Sequence, residues 1–152
     1  MQVETLGDVL DWTKAAHRNL ADCLAHCAEG SRQERVRMLM DYLAEHEREL
    51  SRTLQLAKQD AKPSALHTWC YEYFDKYPIE PHETCHGDFR DKDTDQIIAA
   101  VLAWHEKIIG LYRYLLSRAE VNSTRDLLTN LISLEEHETM RMVRDAGRMQ
   151  DL

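Results

Sequence analysis

The chain has 152 residues, which suits one domain spanning 1–152 and argues against two. Hydrophobic residues make up 43% and charged residues 30%, so the chain reads as a folded globular protein rather than a disordered one. A formal net charge of −8 leaves no basic surplus to neutralise phosphates, which disfavours nucleic acid as a partner.

Further exclusions follow from single residue types. With only 5 Gly and 3 Pro, the frequent turns of a β-sandwich have too few residues to make them. No stretch approaches the roughly 18 apolar residues of a membrane span. The opening MQVETLGDVLDW lacks a basic segment followed by an apolar one, so no signal peptide is expected. Cys23, Cys27, Cys70 and Cys85 are too few for a disulfide scaffold, and reduced thiols in a cytoplasm are the expectation.

Apolar residues recur at three and four along four long segments, the mark of amphipathic helices. The first helix is expected at about 5–28, carried by Leu6, Val9, Thr13, Ala16 or His17, Leu20, Leu24 and Cys27, with Thr5-x-x-Asp8 as a capping box. The second is expected at about 32–61, opened by Ser31-x-x-Glu34 and carried by Val36, Met40, Leu43, Glu47, Leu50, Leu54 and Ala57. A long crossover, residues 62–93, follows; its aromatic-rich segment 64–75 is expected to form a short extra helix ended by Pro78 and Pro81. The third helix, about 94–119, is capped by Asp93 or Thr94 and carried by Ile98, Val101, His105, Ile108, Tyr112 and Leu115. The fourth, about 123–149, opens at Ser123-x-x-Asp126 and carries Leu127, Leu131, Leu134, Glu138 and Met142. The fold class is therefore all-α: a four-helix bundle of two helical hairpins joined by the crossover. Leu43-Ala-Glu-His-Glu47 resembles Leu134-Glu-Glu-His-Glu138, which suggests that the hairpins are two copies of one unit.

The informative residues are polar ones on apolar stripes. Glu47, Glu138, His105 and His17 all fall near mid-helix on core-facing lines. A buried carboxylate is costly unless it finds a partner or shifts its pKa. Two carboxylates and two imidazoles at one level of a bundle can satisfy each other, or give a divalent cation a neutral ligand set.

At these residues the chain resembles the ferritin-like superfamily, most closely its rubrerythrin-type branch. That resemblance implies a di-iron site held by one Glu on each of the first and third helices and Glu-x-x-His on the second and fourth. His105-Glu-Lys-Ile-Ile-Gly-Leu-Tyr112 fits the third-helix phrase with His105 at the ligand position, and His17 fits likewise on the first helix. Glu47 and Glu138 take the ligand Glu positions of helices two and four, but Leu50 and Arg141 replace the following His. The six-ligand set is thus half matched, and the four-Cys iron domain of rubrerythrins is absent from the sequence.

Three arrangements follow. In the first, His17, Glu47, His105 and Glu138 hold one divalent metal or two (iron, manganese or zinc). His46, Glu106, His137 or Tyr112 would then be further ligands or outer partners. In the second the four form a metal-free network, with Arg141 supplying the positive charge. In the third they lie solvated on the helix flanks. The first implies a metal-dependent oxidoreductase or peroxidase-like activity in oxidative-stress or metal handling. The second implies an interaction or adaptor module, and a homodimer is expected in either case.

Two other patterns carry weaker chemistry. His82-Glu-Thr-Cys-His86 matches the H-E-x-x-H pattern of zinc proteases, but Pro81 and Gly87 leave room for one helical turn at most. His67, Cys70, His82, Cys85 and His86 together have the spacing of a structural zinc site in the crossover; packing of His67 and Cys70 beneath the aromatic segment is the simpler account.

Overall fold

The computed structural model describes residues 3–70 and 89–150. Four long helices dominate: α1 (Leu6–Glu29), α2 (Glu34–Asp60), α4 (Thr94–Arg118) and α5 (Asn122–Gln150), with a single turn, α3 (Pro63–Leu66), after α2. Each long helix lies within two residues of its expected limits. The expected crossover helix is reduced, among the described residues, to α3, with Pro63 in its first turn. Residues 71–88, which include Tyr71, Tyr73, Phe74, Tyr77, His82, Cys85 and His86, lie outside the described residues.

Helix starts follow the capping rules in two cases and depart from them in two. Thr5 caps α1 in a full capping box with Asp8, and Asp93 caps α4 in one with Gln96. At α2 the expected Ser31 box does not form; Gln33 is the N-cap without a side-chain bond, and the Ser31 hydroxyl turns to the Gln33 carbonyl at 3.3 Å. At α5 the helix already begins at Asn122, so Ser123 sits inside the first turn and bonds Ser64 at 2.9 Å.

The crossover is tied back to the start of α1. Leu6 N–H donates to the Thr68 carbonyl at 3.0 Å, and Cys70 N–H to the Glu4 carbonyl at 2.7 Å. Gly7 permits this close approach: a Cβ there would stand 3.3 Å from the Leu66 carbonyl oxygen.

The apolar core comes in two blocks. One gathers Leu24 and Ala28 of α1, Leu39, Met40 and Leu43 of α2, Ile97 and Val101 of α4, and Met142 and Ala146 of α5. This end therefore joins the end of α1, the starts of α2 and α4, and the end of α5. So α2 and α4 run in the same direction, as a crossover between two hairpins requires. The other block holds Leu6, Leu10, Leu54, Ile108, Tyr112, Leu128 and Leu131. Between the blocks, at one level, lie the polar residues of the next section. No helix among the described residues is long and apolar enough to cross a membrane.

Candidate metal centre

One residue from each long helix meets at the bundle centre: His17 of α1, Glu47 of α2, His105 of α4 and Glu135 of α5. All four are completely buried. Each sits in its helix between apolar positions that face the two core blocks, so packing above and below directs it inward. His17 Nδ1 lies 2.6 Å from Glu47 Oε2, and His17 Nε2 lies 2.8 Å from Glu135 Oε1. His105 Nε2 bonds Glu47 Oε1, while His105 Nδ1 lies 2.9 Å from Thr139 Oγ1 and 4.0 Å from Glu135 Oε2. The result is a ring in which carboxylates and imidazoles alternate.

The electrostatics follow from this arrangement. Burial works against a charged His17, but the carboxylates of Glu135 and Glu47 outweigh it and raise its pKa to about 10. Burial pushes the Glu47 carboxyl up, yet His17 and His105 pull it down to about 2. Tyr112, also buried, rises well above its ordinary value through burial and then the nearby Glu135 charge. Its hydroxyl donates to Thr13 Oγ1 at 2.8 Å, and Thr13 in turn donates to the Leu10 carbonyl at 3.1 Å.

The structure brings together His17, Glu47 and His105 but puts Glu135, not Glu138, in the fourth place. The buried line of α5 steps by four, from Leu131 to Glu135, and resumes at Met142 and Ala146. Glu138 lies about 60° around the helix from Glu135, and Leu134 about 100°. Glu138 is 19% exposed, 3.4 Å from His46 Nε2 and 4.0 Å from Arg141. Arg141 is 56% exposed and bridges no buried carboxylate, which removes the arrangement in which it supplies the central charge. His46 is nearly buried but faces the α2–α5 seam, and Tyr42 beside it bonds Asp145. Glu106 and His137 are exposed. The Tyr112 hydroxyl bonds Thr13 rather than any of the four central side chains.

Sequence reasoning missed Glu135, Thr139 and Thr13. A signal for Glu135 was present: His105 follows His17 by 88 residues, and Glu135 follows Glu47 by the same 88. The likeness of Leu43–Glu47 to Leu134–Glu138 has a spacing of 91 and misaligns the hairpins by three residues.

The cysteine expectations divide. Cys23 is disulfide-bonded, against the expectation of reduced thiols, whereas Cys27 and Cys70 are free and buried. Burial, then the Asp8 charge, pushes the Cys70 thiol up to about 12, so it is a poor thiolate ligand. The rest of the proposed crossover cluster, and the H-E-x-x-H pattern, fall outside the described residues.

The donor set can be tested against a cation. One ligand atom from each of His17, Glu47 and His105 lies within 4.8 Å of the others. Glu135 Oε2 is buried without a hydrogen-bond partner among the described residues and lies 4.0 Å from His105 Nδ1. Imidazole nitrogen and carboxylate oxygen suit a first-row divalent ion. Two carboxylates balance one such ion. Among the described residues no third acid is buried to balance a second, so a two-metal carboxylate site does not fit.

No protein-family model matches the sequence, and comparison with curated proteins gives no match. Among solved structures, the chain is similar to a Thermotoga maritima protein described as ferritin-like and diiron-carboxylate. The TM-score is 0.56 at 10% identity, covering 94% of this chain and 95% of that one. The fold is thus ferritin-like.

Proposed function

We propose that this ferritin-like bundle binds one divalent cation at its centre, held by His17, Glu47, His105 and Glu135. The observation that carries the reading is the convergence of ligand atoms from the fully buried His17, Glu47 and His105, with Glu135 Oε1 2.8 Å from His17 Nε2. A redox-active ion there would supply oxidant chemistry for oxidative-stress or metal handling. The protein's own part is to exclude water, balance the charge and hold the ligands. In the cation-free chain His17 carries the compensating positive charge, so an incoming ion displaces hydrogen from the ring and binding releases protons.

A second reading is favoured by one feature of the same geometry: both His17 nitrogens already face carboxylates at hydrogen-bond distance. In that reading the tetrad is structural, and the bundle acts by association with a partner or a second copy.

Metal content by plasma mass spectrometry separates the two, on untagged protein purified without chelator and again after reconstitution. The cation reading expects about one iron, manganese or zinc per chain. The ion should be lost in the His17→Ala/His105→Ala double variant and in Glu135→Gln, and kept in Glu138→Gln. No bound ion after reconstitution, or an ion kept in the double variant, overturns it.

A further inference from the structure

The hydrogen-bond partners of His105 single out a residue that is not itself one of the four candidate ligands. Thr139 Oγ1 lies 2.7 Å from the Glu135 backbone carbonyl and 2.9 Å from His105 Nδ1. A carbonyl only accepts, so the single hydroxyl hydrogen is committed to it. Toward His105 the same oxygen can then only accept, and Nδ1 must carry the hydrogen of that bond. With Nδ1 turned to Thr139, Nε2 is the nitrogen at the centre, bonded to Glu47.

The other hairpin lacks this device. The residue 88 positions earlier is Ser51, and its hydroxyl donates to the Lys14 carbonyl at 3.1 Å instead of meeting His17. His17 is held by two carboxylates and has no neutral acceptor. Of the two central imidazoles, only His105 has one nitrogen anchored away from the centre.

We infer that Thr139 is a positioning residue that holds His105 as the Nδ1–H form and presents Nε2 to the central cation. The inference rests on the cation reading above. The second ring nitrogen of a metal-bound histidine usually donates to a fixed acceptor, which sets the ring's tautomer and orientation. Here a helix-anchored threonine hydroxyl does so. The Thr139–Glu135 bond also ties that acceptor to the backbone of a residue whose side chain faces the centre.

The test compares wild type, Thr139→Val and Thr139→Ser by two measurements. Long-range proton–nitrogen spectra of the cation-free chain report the hydrogen on His105 Nδ1. Competition titration with Zn2+ reports affinity. The expected result is loss or displacement of the Nδ1–H signal in Thr139→Val, with affinity down about 10–100-fold. Thr139→Ser keeps the oxygen and should restore both. A Thr139→Val chain that keeps the Nδ1–H signal and wild-type affinity overturns the inference, as does a Thr139→Ser chain as weak as the valine variant. If wild type takes up no Zn2+ while the signal still depends on the hydroxyl, the cation reading and the ligand-presenting role fail together. The orientation of His105 by Thr139 then stands alone.

Discussion

His17 and His105 occupy equivalent places in two equivalent hairpins, yet the groups around them differ. The 88-residue spacing that relates them also pairs the buried Val9 with Ile97, Leu43 with Leu131, and Leu54 with Met142. The apolar scaffold is therefore repeated, and the polar decoration is not. His17 lies between two carboxylates; His105 lies between one carboxylate and the Thr139 hydroxyl. At the position of Leu24 the second hairpin has Tyr112, whose hydroxyl crosses to Thr13, while Thr13 itself pairs with the apolar Val101. A symmetric frame with unsymmetric hydrogen-bond partners sets one imidazole between two carboxylates and leaves the other with one nitrogen on a neutral hydroxyl and a single nitrogen directed inward.

The comparison is broken most severely at Glu47, the carboxylate shared by both rings. Glu47→Gln should cost about 3–5 kcal/mol in urea denaturation of the cation-free chain, because it strands buried charge. Glu135→Gln should cost less, since Glu135 holds only His17 and already has one unpartnered oxygen. Equal losses would mean that the two acids are interchangeable and the asymmetry has no energetic weight.

Stability against pH sharpens the contrast. The pKa of His17 rises from an ordinary 6.5 to about 10, so its contribution is complete below 6.5 and is lost as pH climbs through 10. That of Glu47 falls from 4.5 to about 2, so its contribution is present above 4.5 and is lost as pH drops through 2. Denaturation midpoints of the cation-free chain should form a plateau between those ordinary values and decline on both sides. In Glu135→Gln the alkaline decline should become shallower while the acid limb persists. An alkaline limb that did not change would detach His17 from Glu135.

The smallest effects belong to the seam outside the ring. Glu138→Gln touches the partly exposed contacts to His46 and Arg141, Arg141→Ala only the second, and each should move stability by about 0–1 kcal/mol. A loss from Glu138→Gln as large as that from Glu135→Gln would return Glu138 to the centre.

Much of the fold was legible because each helix announces itself locally. Thr5 with Asp8, and Asp93, mark starts that the structure keeps, and apolar residues recurring at three and four mark the lengths. His17, Glu47 and His105 were legible as places where an apolar line carries a polar residue. The α2 start was less so: Ser31 has the right residue type, but its hydroxyl takes the Gln33 carbonyl instead of a helix N–H. Thr139 had no signature, since a threonine in a helix usually bonds back to its own turn. What matters is that His105 stands opposite.

By itself the sequence determined four amphipathic helices, two hairpins and a crossover, and a polar level within an apolar core. Those depend on spacing along one chain. Only the tertiary structure decided that Glu135 faces inward while Glu138 lies at the seam. Residues three and four apart are both neighbours on a helix surface, so an apolar pattern leaves the rotation of α5 open by about 60°. Packing against three other helices closes that choice, because one rotation buries Glu135 beside His17 and sets Thr139 under His105.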